Sequence, residues 1–367
     1  MWVSQPYNKP ILMDSNHTQV TVRVIIPARN EEACLGRCIG SLVAQTGISF
    51  EIFVVDDNST DHTLDVAATF PTVQVLAANA PAPGISGKCN ALIKGAEGAT
   101  ATWLLFTDAD TFHLPDSLAG AVAEAQREHA DLLSYSPEQE TGSWYEDMLM
   151  PLVFAELART YETAGENDTA GKNDRVKPAA NGQYILVRRA VYEPLGGHKA
   201  VASKILEDVE LAKLFKDSGH KIFFRYGKGR VRTRMYRSFS GMWAGWTKNL
   251  GLLFSNATWI AALRAGEFLL FCLSLLSGLI LYSYGKRGWS AVALLVCLYV
   301  FARFQLRVRH AHFRWPVNLL SFFGLPMFAV LLWRSVYCLK VRGTVTWKGR
   351  IYSNSPPGAT RRSSSSE

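Results

Sequence analysis

Over the first 140 residues the apolar positions switch repeatedly between two periods. Short β-branched runs at 21–26, 51–55, 73–76 and 102–107 read as strands. Between them Leu35, Cys38, Ile39 and Leu42, then Leu64, Ala67 and Ala68, fall at helical spacing, and 88–97 continues in that pattern after a Pro/Gly loop at 81–87. Pro27 is expected to end the first strand, because proline cannot extend a central ladder. Ser59 or Thr60 is expected to cap the second helix, and Leu114-Pro115-Asp116 to start another. Strands alternating with helices predict an α/β fold, a doubly wound and mostly parallel sheet. In such sheets ligands gather at the carboxyl ends of strands, which here would bring Asp56, Asp57, Lys88, Asp108 and Asp110 to one edge.

The pattern then changes. Residues 144–163 read as helix, 165–176 as a polar insertion, 180–187 as a strand, and Ile205 leads into a helix carrying Glu207, Asp208 and Glu210. Residues 221–237 hold seven basic residues and no acid, and Arg230, Arg232 and Arg234 would share one face of a strand. Residues 239–254, with Trp243, Trp246, Lys248 and Leu250, suggest an interfacial helix. The uncharged stretch at 268–284 and the shorter 289–302 predict two membrane spans. A third segment at 315–333 is interrupted by Pro326, which suits a re-entrant course. The expected organisation is a disordered leader (1–19), a catalytic domain (20–237), an interfacial helix (238–255), a membrane region (256–352) and a disordered tail (353–367).

Composition sharpens this division. The chain has 367 residues, 48% hydrophobic, and a formal net charge of +8. Up to Phe254 there are 25 Lys/Arg against 29 Asp/Glu; from Ser255 onward the count is 14 against 2. Basic and apolar together, nearly without acids, marks a membrane region and not a nucleic-acid surface. The leader lacks signal-peptide character, so the part before the membrane region is expected to stay on the cytosolic side. Six cysteines include no Cys-x-x-Cys pair and read as reduced packing residues.

The sharpest chemical feature is Leu104-Leu105-Phe106-Thr107-Asp108-Ala109-Asp110. Two carboxylates spaced i, i+2 at the end of a buried strand would share a face if the backbone is extended. They are costly to desolvate without a cation or donors. A solvated turn is the plain alternative. No Gly-x-Gly-x-x-Gly follows the first strand, which argues against a dinucleotide-dependent dehydrogenase.

Five stretches in register carry a resemblance: Ile25-Ile26-Pro27-Ala28-Arg29-Asn30-Glu31, Val55-Asp56-Asp57-Asn58-Ser59-Thr60-Asp61, Gly87-Lys88-Cys89-Asn90-Ala91-Leu92, Thr107-Asp108-Ala109-Asp110 and Glu207-Asp208. Over 20–253 the chain resembles glycosyltransferase family 2, inverting enzymes of the GT-A fold. Within it the chain is most similar to membrane-bound enzymes found with hopanoid and carotenoid pathways, through Arg232-Thr233-Arg234-Met235-Tyr236-Arg237, Gly245-Trp246-Thr247-Lys248-Asn249 and Trp347-Lys348-Gly349-Arg350. The resemblance implies a nucleotide-sugar donor, with UDP expected, bound by Pro27, Arg29, Glu31, Asp57, Lys88 and Asp108. It implies Mg²⁺ or Mn²⁺ on Asp110 and Asp108, and Asp208 as catalytic base with Glu207 beside it. Many relatives carry Gln-x-x-Arg-Trp near the membrane. Here the stretch is Met242-Trp243-Ala244-Gly245-Trp246, leaving Trp246 and Lys248 on the acceptor and diphosphate side, with Asn249 next to them. Loss of that arginine points away from processive synthesis and toward a single transfer. The leading expectation is one sugar passed to a membrane lipid hydroxyl. Transfer to a polyprenyl phosphate, with the 230–237 arginines receiving the phosphate, and a non-catalytic membrane scaffold are the alternatives.

Overall fold

The computed structural model describes residues 21–161, 178–342, 344–347 and 350–353. The leader at 1–19, the insertion at 165–176, Lys348, Gly349 and the tail beyond 353 lie outside the described residues. The first half runs β1 (Val22–Ala28), α1 (Leu35–Val43), β2 (Phe50–Asp56), α2 (Thr63–Ala68), β3 (Val73–Ala77), α3 (Gly87–Ala96), β4 (Trp103–Phe106), β5 (Thr111–His113), α4 (Ser117–Arg127), β6 (Leu132–Ser136) and β7 (Glu138–Gln139). Next come α5 (Trp144–Tyr161), β8 (Ile185–Arg188), the short α6 (Arg189–Tyr192) and α7 (Gly197–Ala200), α8 (Glu207–Asp217), β9 (Ile222–Tyr226) and β10 (Val231–Thr233). The chain continues through α9 (Phe239–Leu253), α10 (Ala257–Ser283), α11 (Arg287–Val308), α12 (Trp315–Ser321), α13 (Leu325–Tyr337) and the hairpin β11 (Thr344–Trp347) with β12 (Arg350–Ser353).

Seven strands form the main sheet in the order β3-β2-β1-β4-β8-β6-β9. β3, β2, β1 and β4 are parallel, β8 runs antiparallel to β4 and β6, and β9 is parallel to β6. The sheet is therefore mixed but mostly parallel, as the alternation predicts. Its centre is apolar on both faces: Val24, Ile25, Ile26, Leu104, Leu105 and Val187 are fully buried. Leu35, Cys38, Ile39 and Leu42, at the spacing seen in the sequence, are the buried side of α1.

Three local expectations are corrected. The first strand does not stop before Pro27, which pairs with Val55. On the other flank β4 has already ended at Phe106 opposite Ile25, so the proline's missing N–H falls past that neighbour. Neither Ser59 nor Thr60 caps α2. Asp61 accepts from the Thr63 N–H at 3.1 Å instead, while Ser59 and Thr60 tie their loop to Asn30. The strand expected at 180–187 begins only at Ile185; before it Asn181 to Tyr184 form a turn closed by the Tyr184 N–H on the Asn181 carbonyl.

A second apolar core joins α5 and α9 to the long C-terminal helices, through Leu149, Val153, Trp246, Leu250, Phe304, Phe322 and Phe328. Three helical segments, Ala257–Ser283, Arg287–Ala311 and Trp315–Arg342, are long and apolar enough to cross a membrane. The third holds a 3₁₀ turn at Phe322–Gly324 just before Pro326, the interruption legible in the sequence. At the foot of these helices Arg264 bridges Glu156 (2.9 Å) and Glu267 (2.6 Å), and Arg307 reaches Glu267 at 2.8 Å. Glu156 lies on α5 and is 1% exposed, so this network fastens α5 to the long apolar helices α10 and α11. Gly324 sits directly on the Met148 carbonyl of α5. A β-carbon there meets backbone and not a yielding side chain, so Gly324→Ala should cost about 1–3 kcal/mol, read as a lowered unfolding temperature in detergent.

Candidate active site

The ends of β1, β2 and β4 open onto a polar cavity of ≈ 550 Å³. Pro27, Arg29, Glu31, Asp57, Lys88, Asp108, Asp110, Glu207, Asp208 and Lys248 all line it. The fold thus gathers every expected site residue except Trp246. Asp57 is 3% exposed and follows β2, its N–H given to the Ala28 carbonyl at 2.8 Å. Arg29 donates to the Asp57 carbonyl at 2.9 Å, which fixes the two residues beside each other.

Lys88 is the centre of charge. It sits in the first turn of α3, capped by Ser86, with Nζ 2.8 Å from Asp108 Oδ1 and 3.4 Å from Glu207 Oε1. Burial works against its ammonium, yet those carboxylates outweigh burial and hold its pKa above the usual lysine range. Glu207 is buried too, but Lys88 and Lys248 keep it ionised and its pKa below the ordinary value. Asp208 behaves oppositely: burial, then the adjacent Glu207 charge, lift its pKa to about 6. Its two oxygens accept from the Gly182 N–H at 2.9 Å and the Val209 N–H at 2.8 Å. Burial also pulls the Lys248 ammonium below its ordinary pKa.

Asp108 and Asp110 face the cavity together, though not for the reason expected. The backbone after β4 is not extended; it turns, with the Thr111 N–H on the Asp108 carbonyl at 3.3 Å. Behind the turn lies a buried hydroxyl cluster. Thr107 Oγ1 is 3.0 Å from Thr111 Oγ1 and 3.2 Å from His113 Nε2, and donates to the Gln183 carbonyl at 2.8 Å. Burial pushes His113 down to about 3, so it is a neutral hydrogen-bonding group that adds no charge beneath the aspartates.

The residues missed from sequence are Asn181, Gly182 and Gln183. Gly182 holds Asp208, and Gln183 Nε2 reaches Asp110 Oδ1 at 3.5 Å, so one turn spans both ends of the carboxylate array. The Asn-Gly dipeptide was the available signal for a turn there. Elsewhere Arg232 and Arg234 do not form an open basic face: they pair with Glu138 and Glu146, both at 2.9 Å. The helix expected at the membrane interface, α9, is largely enclosed. Trp246 is 2% exposed between Phe154 and Tyr236, while Lys248 turns into the polar cavity.

Trp246 instead lines a second, mainly apolar cavity of ≈ 160 Å³, with Phe154, Leu157, Ala158, Phe224, Leu253 and Ala311. Asp208, Asn181, Leu206, Met235 and Asn249 line both cavities.

A doubly wound sheet of this kind, with its charged cavity at the strand ends and apolar helices following, is that of a nucleotide-sugar-dependent transferase of the GT-A fold. Residues 23–196 match the model of Glycosyl transferase family 2. The protein carries a family 2 domain and is a glycosyltransferase. The match takes in Asp57, Lys88, Asp108 and Asp110 and ends before Glu207. The chain is similar to 4,4'-diaponeurosporenoate glycosyltransferase of Staphylococcus aureus, 27% identical over 360 residues, covering 93% of this chain and 90% of the relative. Among solved structures it is similar to S. aureus TarS 1-349 (16% identity, TM-score 0.42, 92% of this chain and 98% of that one). It is also similar to a Pyrobaculum calidifontis mannosyltransferase in complex with GDP-Man and Mn²⁺ (17% identity, TM-score 0.46, 86% of each chain).

Proposed function

We propose that the protein transfers a single sugar, with inversion, from a UDP-sugar to an oxygen of an isoprenoid-type membrane lipid, a class that includes hopanoids, at the cytosolic face of a bacterial inner membrane. The observation that carries this reading is that Asp208 stands in the shared wall of a polar and an apolar cavity. Donor and lipid can then both reach one carboxylate, and inversion asks that the acceptor oxygen meet the anomeric carbon on the face opposite the departing diphosphate. Asp57, with Arg29 behind it, suits a base N–H, since an ionised carboxylate only accepts. Pro27 and Glu31 flank that pocket, and Lys88 and Lys248 offer positive charge to a diphosphate.

Asp108 and Asp110 fit a divalent ion. Both are hard oxygen donors, and no group of three His, Cys, Asp or Glu residues suited to a metal exists among the described residues. Substrate phosphates would have to complete the shell, the usual arrangement for Mg²⁺ and one open to Mn²⁺. When bound, the ion offsets the charge of the departing nucleoside diphosphate. Asp208 takes the proton of the acceptor hydroxyl, and Glu207 sets its basicity through its neighbouring charge. In the apolar cavity Trp246 Nε1 and Asn249 Oδ1 are buried without a partner among the described residues, which suits an acceptor with a polar head on an apolar body.

A second reading has specific support: the S. aureus relative is named for a carotenoid acid, and a carboxylate acceptor is already ionised and needs no base. A polyprenyl phosphate is less well served, because Arg232 and Arg234 are already engaged by acids. Purified enzyme in detergent, given labelled UDP-sugars and bacterial lipid extract, should label the lipid phase in a metal-dependent way. Ala158→Trp should raise the lipid KM about tenfold and leave the donor KM unchanged. An unchanged lipid KM would remove the apolar cavity from the account.

A further inference from the structure

The segment Trp315–Arg342 spans 28 residues, about 42 Å as helix, enough to cross a bilayer. Its contacts place it otherwise. At its start His312 stacks on Tyr226 of β9, with ring centroids 4.2 Å apart, and Phe313 lies against Phe154 of α5. At its far end Ser335 Oγ accepts from the Gly251 N–H of α9 at 2.7 Å, and Leu339 closes over the same glycine. Between them Gly324 rests on α5. Both ends therefore meet the catalytic side.

α10 and α11 behave differently. They run out as a hairpin, joined far from the sheet by Ser290 Oγ on the Gly278 carbonyl at 2.8 Å. Phe322 meets this hairpin at Phe268 (5.8 Å), Phe271 (4.5 Å) and Phe304 (5.0 Å), and from there α13 runs back along the first half of α10 to Gly251 of α9. The outward face of the third segment carries Phe323, Val330, Trp333, Tyr337 and Val341, at successive helical spacings and each at least half exposed. That apolar face continues the exposed leucines of the hairpin.

We propose that α12 and α13 form a re-entrant pair that enters only the leaflet nearest the catalytic domain, with the turn at Phe322–Gly324 deepest and the outward face of α13 among the acyl chains. The chain then crosses twice, out through α10 and back through α11, and β11 and β12 share the side of the catalytic domain. Charge agrees with this course. Lys286 and Arg287 sit alone at the hairpin tip, while Arg303, Arg307, Arg309, Arg314, Arg334, Lys340 and Arg342 collect on the catalytic side. The surface is also too apolar and continuous for water. This rests on packing alone and stands whether or not the proposed acceptor is correct.

Full-length Arg287→Cys and Arg342→Cys, against the unsubstituted chain as background, can be treated with a membrane-impermeant maleimide in intact spheroplasts. Arg287→Cys should be labelled, and Arg342→Cys should lose all labelling until the membrane is opened. Labelling of Arg342→Cys in intact cells would establish a third crossing and overturn the proposal. Trp333→Cys carrying a fluorophore in phosphatidylglycerol/phosphatidylethanolamine vesicles should be quenched by lipids with a nitroxide on the acyl chain. Resistance to quenching would sink the leaflet assignment, and oxidation of unlabelled Trp333→Cys to a disulfide-linked dimer would show a second copy covering this face instead.

Discussion

Asp208→Asn is expected to bind a UDP-sugar as wild type does and to lower kcat by on the order of 10²–10⁴-fold. Asparagine keeps the shape of the side chain and can still accept the Gly182 N–H, so the turn at 181–184 should stay in place. What disappears is the basic oxygen. The pH dependence tests the same point. Burial, and then Glu207, raise the Asp208 pKa to about 6, so the base is protonated below that value. For a hydroxyl acceptor kcat/KM should rise tenfold per pH unit up to about pH 6 and then level; for a carboxylic acid acceptor this limb should be absent. Stability moves the other way. A carboxyl whose folded pKa lies above its unfolded value weakens the fold progressively as pH rises from about 4 to about 6, and the loss persists above. Asp208→Asn should therefore melt higher at pH 8, by on the order of 1 kcal/mol. Full activity in this variant, with its melting point unmoved, would remove Asp208 as the base.

The second large effect is expected at the strand-end pair. Asp110→Ala should reduce kcat/KM by on the order of 10²-fold and raise the Mn²⁺ concentration needed for half-maximal rate. Asp108→Ala should do the same and one thing more. Asp108 is the nearer partner of Lys88, so its loss leaves Lys88 to Glu207 and weakens the charge balance that sets Asp208. The pH limb should shift in Asp108→Ala and stay put in Asp110→Ala. Both variants are measured after EDTA treatment, with Mn²⁺ or Mg²⁺ titrated back. Wild-type activity that survives EDTA undiminished would assign the two carboxylates to another task.

Much of this site was readable in the sequence, because strand ends are marked by abrupt changes from β-branched to acidic residues. Val55-Asp56-Asp57 and Phe106-Thr107-Asp108 show the change plainly, and the family 2 register then tied them to Lys88 and Glu207-Asp208. Period-based reading failed where the chemistry is made by a turn. Asn181 to Gln183 sit beside an apolar run whose period extends over them and hides the turn, although Gly182 and Gln183 hold the two ends of the carboxylate array. Trp246, expected on the acceptor side, lines the apolar cavity, but its enclosure was not legible: composition cannot tell a tryptophan at a lipid boundary from one held between Phe154 and Tyr236. The arginines at 230–234 looked like a phosphate surface because Glu138 and Glu146, which engage two of them, lie far away in sequence.

The ionic network on Glu156 has a practical corollary for anyone cutting this enzyme into parts. Ending the chain at Phe254 would strip Arg264 and Arg307 from a carboxylate that is 1% exposed. It would also strip the wall that His310, Ala311 and His312 give to the apolar cavity. The C-terminal helical region is thus part of the wall of that cavity and not a tether beside it. A version cut at Phe254 would lose part of the cavity proposed for the acceptor, and exchanging the C-terminal helices between related enzymes would remodel that cavity directly.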